Sequence, residues 1–111
     1  MLKLIFLLFI IISSCSQKDF TNDATESFNM AKKPYNINNY EYAIEQLSMF
    51  KSKFPYSQYA IEAELLIANS YFELAKYEEA ATEYSQFIRL HPKNPNLPFV
   101  MYRIGECFWK L

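Results

Sequence analysis

Few residues of this chain could do covalent or acid–base chemistry. It has one histidine, His91, and two cysteines, Cys15 and Cys107. His91 stands just before Pro92, with no second His or Cys at metal-ligand spacing, so it reads as a turn residue rather than a ligand or a base. Glu62, Glu64, Glu78, Glu79 and Glu83 could supply paired carboxylates to a hydrolase or transferase. Helical spacing instead assigns them to solvated faces opposite the apolar stripes. One glycine in the whole chain excludes Gly-rich phosphate loops. The 11 basic and 12 acidic residues form no long run of one sign, which leaves no footprint for nucleic acid. The expectation is a non-enzyme with no catalytic residue, no metal and no cofactor. Cys107 reads as a small buried apolar residue. Cys15 is the exception, because of what precedes it.

Lys3 supplies a short basic region, residues 4–12 are an unbroken apolar run, and Ser13, Ser14 and Cys15 follow. The run is too short to span a bilayer, which takes roughly 20 residues. Basic, apolar, small is the order of a secretory signal. The stretch Ile12-Ser13-Ser14-Cys15 resembles a bacterial lipobox. That resemblance implies a diacylated Cys15 thiol, cleavage just before it, and acylation of the new amine; an ordinary signal peptide with a coincidental cysteine is the alternative. Ser16 stands where an aspartate would resemble an inner-membrane retention signal, which favours the inner leaflet of the outer membrane, facing the periplasm. Two or three acyl chains anchor stably where one does not. The expected division is a signal peptide over 1–14, a lipidated tether over 15–22, which is polar and without period, and one folded domain over 23–111. Cutting 14 residues from 111 leaves 97, enough for a single small domain.

What must position any site is a repeat. Ala31, Tyr40, Ala43, Phe50 and Pro55 reappear as Ala68, Tyr77, Ala80, Phe87 and Pro92, each 37 residues on (68 − 31 through 92 − 55). A fixed period of this size signals stacked supersecondary units that cannot bury their apolar faces alone. Apolar residues fall at helical spacing in five stretches. Ala24, Phe28 and Ala31 mark the first, which Pro34 is expected to stop or kink, leaving it about a turn short. Asn38 or Asn39 caps the second, and Pro55 ends it. Ser57 caps the third, the fourth ends near His91-Pro92, and Pro98 suits the first turn of the fifth. Strand alternation never persists. The small residues Ala68 and Ala80 are expected to face each other across the second hairpin.

Each unit resembles a tetratricopeptide repeat. With Pro92 at position thirty-two of the 34-residue consensus, Ala68, Tyr71, Tyr77, Ala80, Tyr84 and Pro92 fall on its small, aromatic and proline positions. The implied fold is an all-α tetratricopeptide-repeat solenoid, with repeats at about 23–55 and 57–92 and a partial one at 97–111. That is two helical hairpins and the first helix of a third. The segments Lys53-Phe54-Pro55-Tyr56-Ser57-Gln58-Tyr59-Ala60 and Phe87-Ile88-Arg89-Leu90-His91-Pro92-Lys93-Asn94-Pro95, behind a lipobox, are similar to the BamD family of outer-membrane assembly lipoproteins. That resemblance implies a lipid-anchored periplasmic scaffold for inserting β-barrels, with β-barrel assembly subunits and unfolded outer-membrane proteins as partners. Members of that family typically hold five repeats, and this sequence stops inside the third.

In such repeats the first helices line a concave groove. The consensus positions imply Phe28, Lys32, Tyr35, Leu65, Asn69, Phe72, Tyr102 and Trp109 as groove residues, a receptor for an extended peptide with an aromatic end. On the last helix, Ile104, Cys107, Phe108 and Leu111 are expected to expose apolar surface. Two other readings stay open. One is a periplasmic repeat adaptor of cell-envelope constriction, similar to the repeat domain of the Tol–Pal-associated protein, which generally lacks a lipobox. The other is a truncated, non-functional remnant.

Overall fold

The computed structural model describes residues 23–111. The signal peptide, the tether and Cys15 lie outside the described residues. Five helices follow one another: α1 (Ala24–Asn36), α2 (Tyr40–Lys53), α3 (Gln58–Glu73), α4 (Tyr77–Leu90) and α5 (Leu97–Lys110). No strand occurs among the described residues. Each helix packs on the next, and α1 also touches α3. The result is a tetratricopeptide-repeat α-solenoid of two hairpins plus the first helix of a third.

Local chemistry sets the helix starts. The Asp23 carboxylate accepts the Thr25 N–H at 2.9 Å, and the Ser57 hydroxyl accepts the Tyr59 N–H at 3.2 Å. The Asn39 side chain accepts the Tyr42 N–H at 3.5 Å, settling which asparagine caps α2. Each cap satisfies a donor that the first helical turn leaves without a partner. Asn38 instead takes the left-handed conformation, φ 61°. Helix α4 has no side-chain cap, but Glu78 and Glu79 sit in its first turn, where the helix dipole favours negative charge. Pro98 lies in the first turn of α5, where its missing N–H costs nothing.

Pro34 does not stop α1. The helix runs on to Asn36, in register with the ends of α3 at Glu73 and α5 at Lys110. The proline sits in the last turn, so it removes one hydrogen bond, to the Met30 carbonyl, with only two residues left to go. Its own carbonyl accepts from the Asn39 N–H at 2.8 Å, matching Tyr71 and the Lys76 N–H at 2.9 Å. Both hairpin turns are therefore closed by the same pair of backbone bonds, in the pattern of a Schellman motif.

The small residues of each hairpin are buried together. Ala31 and Ala43 are fully buried in one core cluster, with Phe28, Leu47, Phe50, Ala63, Leu66 and Ile67. Ala68 and Ala80 are fully buried in the second, with Ala81, Tyr84, Phe87, Val100 and Cys107. Burying rings such as Phe50 and Phe87 contributes about 1.5–3 kcal/mol each.

Two surface expectations are overturned. Glu64 is not a solvated carboxylate. Its Oε1 lies 3.6 Å from Lys51 of α2 and its Oε2 2.5 Å from His91 after α4, so it ties three elements together. On α5, Cys107 is fully buried and Ile104 half-buried, because that side of the helix lies on α4. Burial also pushes the Cys107 thiol pKa up. Phe108 and Leu111 are exposed as expected, and Met101 and Trp109 join them.

Candidate peptide-binding groove

The first helices α1, α3 and α5 carry the residues assigned to the groove, and the structure sorts them unequally. Phe28 leaves the set: it is only 3% exposed. Its ring stacks on Tyr59 at 5.0 Å and tilts against Phe50 at 5.4 Å. Phe28 is a core residue, because Tyr59 in the first turn of α3 closes over it. Lys32 seals the same spot, with its ammonium 5.6 Å above the Phe28 ring and 2.7 Å from Glu62 Oε1. That pair joins α1 to α3 but is too exposed to stabilise by more than about 0–1 kcal/mol.

Asn69 is also committed inward. Its Oδ1 accepts the Tyr84 hydroxyl at 2.5 Å. Tyr84 is fully buried. Burial holds its phenol pKa well above the usual value, while nearby Arg103 opposes that shift. Leu65 is half-buried against the second cluster.

The aromatic positions near the helix ends form a repeated pair. Tyr35 meets Tyr40 edge-on at 5.6 Å and 75°. One repeat later, Phe72 meets Tyr77 at 5.4 Å and 73°. Edge-to-face contacts of this kind contribute about 0.5–1.5 kcal/mol beyond burial.

Towards α5 the surface becomes cationic and aromatic. The Arg103 guanidinium lies 4.1 Å from the Phe72 ring and 5.2 Å from Phe99. Its Nη1 donates to Glu106 at 3.0 Å, whereas its buried Nε has no hydrogen-bond partner among the described residues. Lys110 sits 5.4 Å from the Tyr77 ring. Beside them Tyr102 is 65% and Trp109 90% exposed. The candidate site is thus Phe72 and Phe99 flanking Arg103, and Tyr77 under Lys110, with Tyr102 and Trp109 exposed on the helix that carries both cations. A wall of this composition can hold an aromatic side chain next to an anionic group.

Residues 21–110 match the family model YfiO, described as outer membrane lipoprotein. The chain belongs to that family. Within YfiO, it is 31% identical over 75 residues to outer membrane protein assembly factor BamD of Neisseria gonorrhoeae, covering 68% of this chain and 28% of the relative. It is 26% identical over 115 positions to outer membrane protein assembly factor BamD of Rickettsia prowazekii, covering all of this chain and 46% of the relative. The chain therefore spans less than half the length of these curated relatives. Both relatives are named for assembly rather than for a reaction. The YfiO family name associates the chain with the outer membrane. No described helix is long and apolar enough to cross a membrane. No described group of His, Cys, Asp and Glu is placed to hold a metal ion.

Sequence reasoning missed Arg103 and the Glu64–His91–Lys51 cluster. Arg103 follows Phe99 by one helical turn, a spacing that brings side chains together and could have flagged it. Nothing local links Glu64 to His91, 27 residues on.

Proposed function

We propose that this chain is a lipid-anchored periplasmic scaffold in outer-membrane β-barrel assembly, and that its α3–α5 groove receives segments of unfolded outer-membrane proteins. The observation that carries this reading is the Phe72–Arg103–Phe99 stack beside the exposed Tyr102 and Trp109. It is a preorganised aromatic and cationic surface on a chain of an outer membrane lipoprotein family. The names of the relatives support the assembly role. Acylation of Cys15 places the scaffold on the inner leaflet of the outer membrane. Other subunits of the barrel-assembly machinery are its expected neighbours.

Two experiments test this. Photo-crosslinkers at Phe72, Tyr102 and Trp109 should capture the terminal segments of unfolded barrel proteins, and crosslinkers at Glu79 and Glu83 on α4 should not. Capture indifferent to position would reduce the groove to non-specific stickiness. For the anchor, a palmitate analogue should label the wild type and miss Cys15→Ser. Equal labelling of both would remove the lipid from Cys15.

A further inference from the structure

One aromatic seat is filled in the first hairpin and open in the second. In the first, Tyr59 from the start of α3 lies over α1. Its ring stacks on Phe28 at 5.0 Å, and its hydroxyl lies 3.4 Å from the Thr25 hydroxyl. At the 37-residue step, Thr25 becomes Glu62, Phe28 becomes Leu65 and Tyr59 becomes Asn96. Asn96 is too short to cover α3 as Tyr59 covers α1. A cleft of about 400 Å³ stands there, between α3 and the segment that joins α4 to α5. Ile61, Leu65, Leu66 and Phe87 give it an apolar floor, and Gln58, Glu62, Asn94 and Asn96 form its rim. The exposures follow the difference. Phe28 is 3% exposed, whereas its counterpart Leu65 is half-buried and Ile61 is 36% exposed.

We propose that this cleft receives one tyrosine side chain, presented by an extended segment of a partner polypeptide, in the pose that Tyr59 takes on α1. The scaffold beneath is the same in both hairpins, since Phe50 and Phe87 hold equivalent places and are 0% and 2% exposed. An aromatic ring is what that scaffold packs at this place in the first repeat. The polar end also fits. Glu62 Oε1 is held by Lys32 at 2.7 Å, and its Oε2 has no partner among the described residues. Glu62 stands where Thr25 meets the Tyr59 hydroxyl, so a seated phenol donates to Oε2, and phenylalanine brings no such donor. The side-chain amides of Gln58 and Asn96 have no hydrogen-bond partner among the described residues. That leaves them to the peptide groups on either side of the incoming tyrosine. The cleft shares no lining residue with the aromatic and cationic surface on α5 and needs nothing from it.

Asn96→Tyr restores to the second hairpin the residue type that fills the first. Asn96 makes no side-chain cap to α5, so the change removes no helix cap. The ring it adds competes with a partner's ring at an effective concentration well above that of a free peptide.

Fluorescence anisotropy with the full chain in detergent micelles tests the seat. The probes are fluorescein-labelled, end-blocked pentapeptides of glycine and serine with a central tyrosine, phenylalanine or alanine. The tyrosine peptide should bind about tenfold or more tighter than the alanine peptide. It should bind about threefold tighter than the phenylalanine peptide, a preference that Glu62→Leu should abolish. Asn96→Tyr should weaken the tyrosine peptide about tenfold or more and melt no lower than wild type. Trp109→Ser should leave its affinity unchanged. Equal binding of the tyrosine peptide and either other peptide to wild type would overturn the proposal. So would an unchanged tyrosine preference in Glu62→Leu, or full binding to Asn96→Tyr. An Asn96→Tyr chain that melts below wild type has not seated its ring and also counts against it. Loss of binding in Trp109→Ser would assign the peptide to the α5 surface instead, whereas failure of the α5 crosslinks leaves this seat standing.

Discussion

The two hairpins, α1–α2 and α3–α4, share one backbone and fill it differently. Helices α2 and α4 begin at Tyr40 and Tyr77 and end at Lys53 and Leu90, residue for residue in register. The left-handed turn residues, Asn38 and Ala75, keep the same step. The interiors diverge. Leu47 in the first hairpin becomes Tyr84 in the second, and Lys32 becomes Asn69. These two changes belong together. A buried tyrosine hydroxyl needs an acceptor, and Asn69 supplies it. Leu47 needs none, so Lys32 is left to pair with Glu62 on the groove side. A groove position is therefore free for ligand contact only where the core beneath makes no polar demand. By that criterion Asn69 is a structural residue, while Tyr102 and Trp109 are open.

The strongest test of equivalence is truncation of the two core rings. Phe50 and Phe87 hold the same register position and are 0% and 2% exposed. Phe50→Ala and Phe87→Ala should each cost about 3–5 kcal/mol in urea unfolding. A small domain holds only about 5–15 kcal/mol in total, so both variants should be largely or marginally unfolded at 37 °C. Loss confined to one variant would show that the hairpins fold as unequal units.

Enlarging the contact between helices should come next. Ala43→Leu and Ala80→Leu each push about three further heavy atoms into a site with no free surface, at a cost of about 1–3 kcal/mol. An unchanged melt for Ala80→Leu would mean that α3 and α4 are not packed through Ala68 and Ala80.

Tyr84→Phe should break the symmetry on purpose. Removing the hydroxyl leaves Asn69 Oδ1 without its donor, at a cost of about 1 kcal/mol. The pH response gives a second signature. The folded-state pKa of Tyr84 is raised, so its contribution is fully present below the unfolded tyrosine value near 10 and is lost as pH rises above it. Wild type should lose stability above about pH 10 more steeply than Tyr84→Phe. Parallel slopes would mean that the phenol ionises as freely in the fold as outside it.

Much of this architecture was legible in the sequence, and the illegible parts share one cause. Small and aromatic residues at a fixed step report the stacking of helices, and Ser57, Asn39 and Pro98 mark boundaries through purely local chemistry. Helical period gives the direction of a side chain but not the depth at which a neighbour closes over it. Phe28 points to the groove side and is buried because Tyr59, 31 residues later, lands on its ring. Glu64 looks solvated until Lys51 and His91 arrive from two other elements. Pro34 misled for a different reason: its rule concerns helix interiors, and its position in the last turn shows only against the common ends at Asn36, Glu73 and Lys110.

The smallest expected effect concerns the two turns. Both occupy the left-handed region, at φ 61° for Asn38 and 58° for Ala75. Asparagine tolerates that region well, whereas the alanine Cβ crowds the following carbonyl at a cost of about 1–2 kcal/mol. The second turn is therefore strained where the first is not. Ala75→Gly removes the clash but gives the unfolded chain more freedom, so the net gain should be about 0.5–1 kcal/mol. Asn38→Gly should change stability by no more than a few tenths of a kcal/mol, in either direction. Thermal melts of the two variants beside wild type make the comparison, with Ala75→Gly expected to melt higher and Asn38→Gly within error. If Ala75→Gly melts lower, strain at Ala75 is not the difference between the turns. The stiffness of alanine would then be holding Tyr77 in place against Phe72, and the uncapped start of α4 would depend on it.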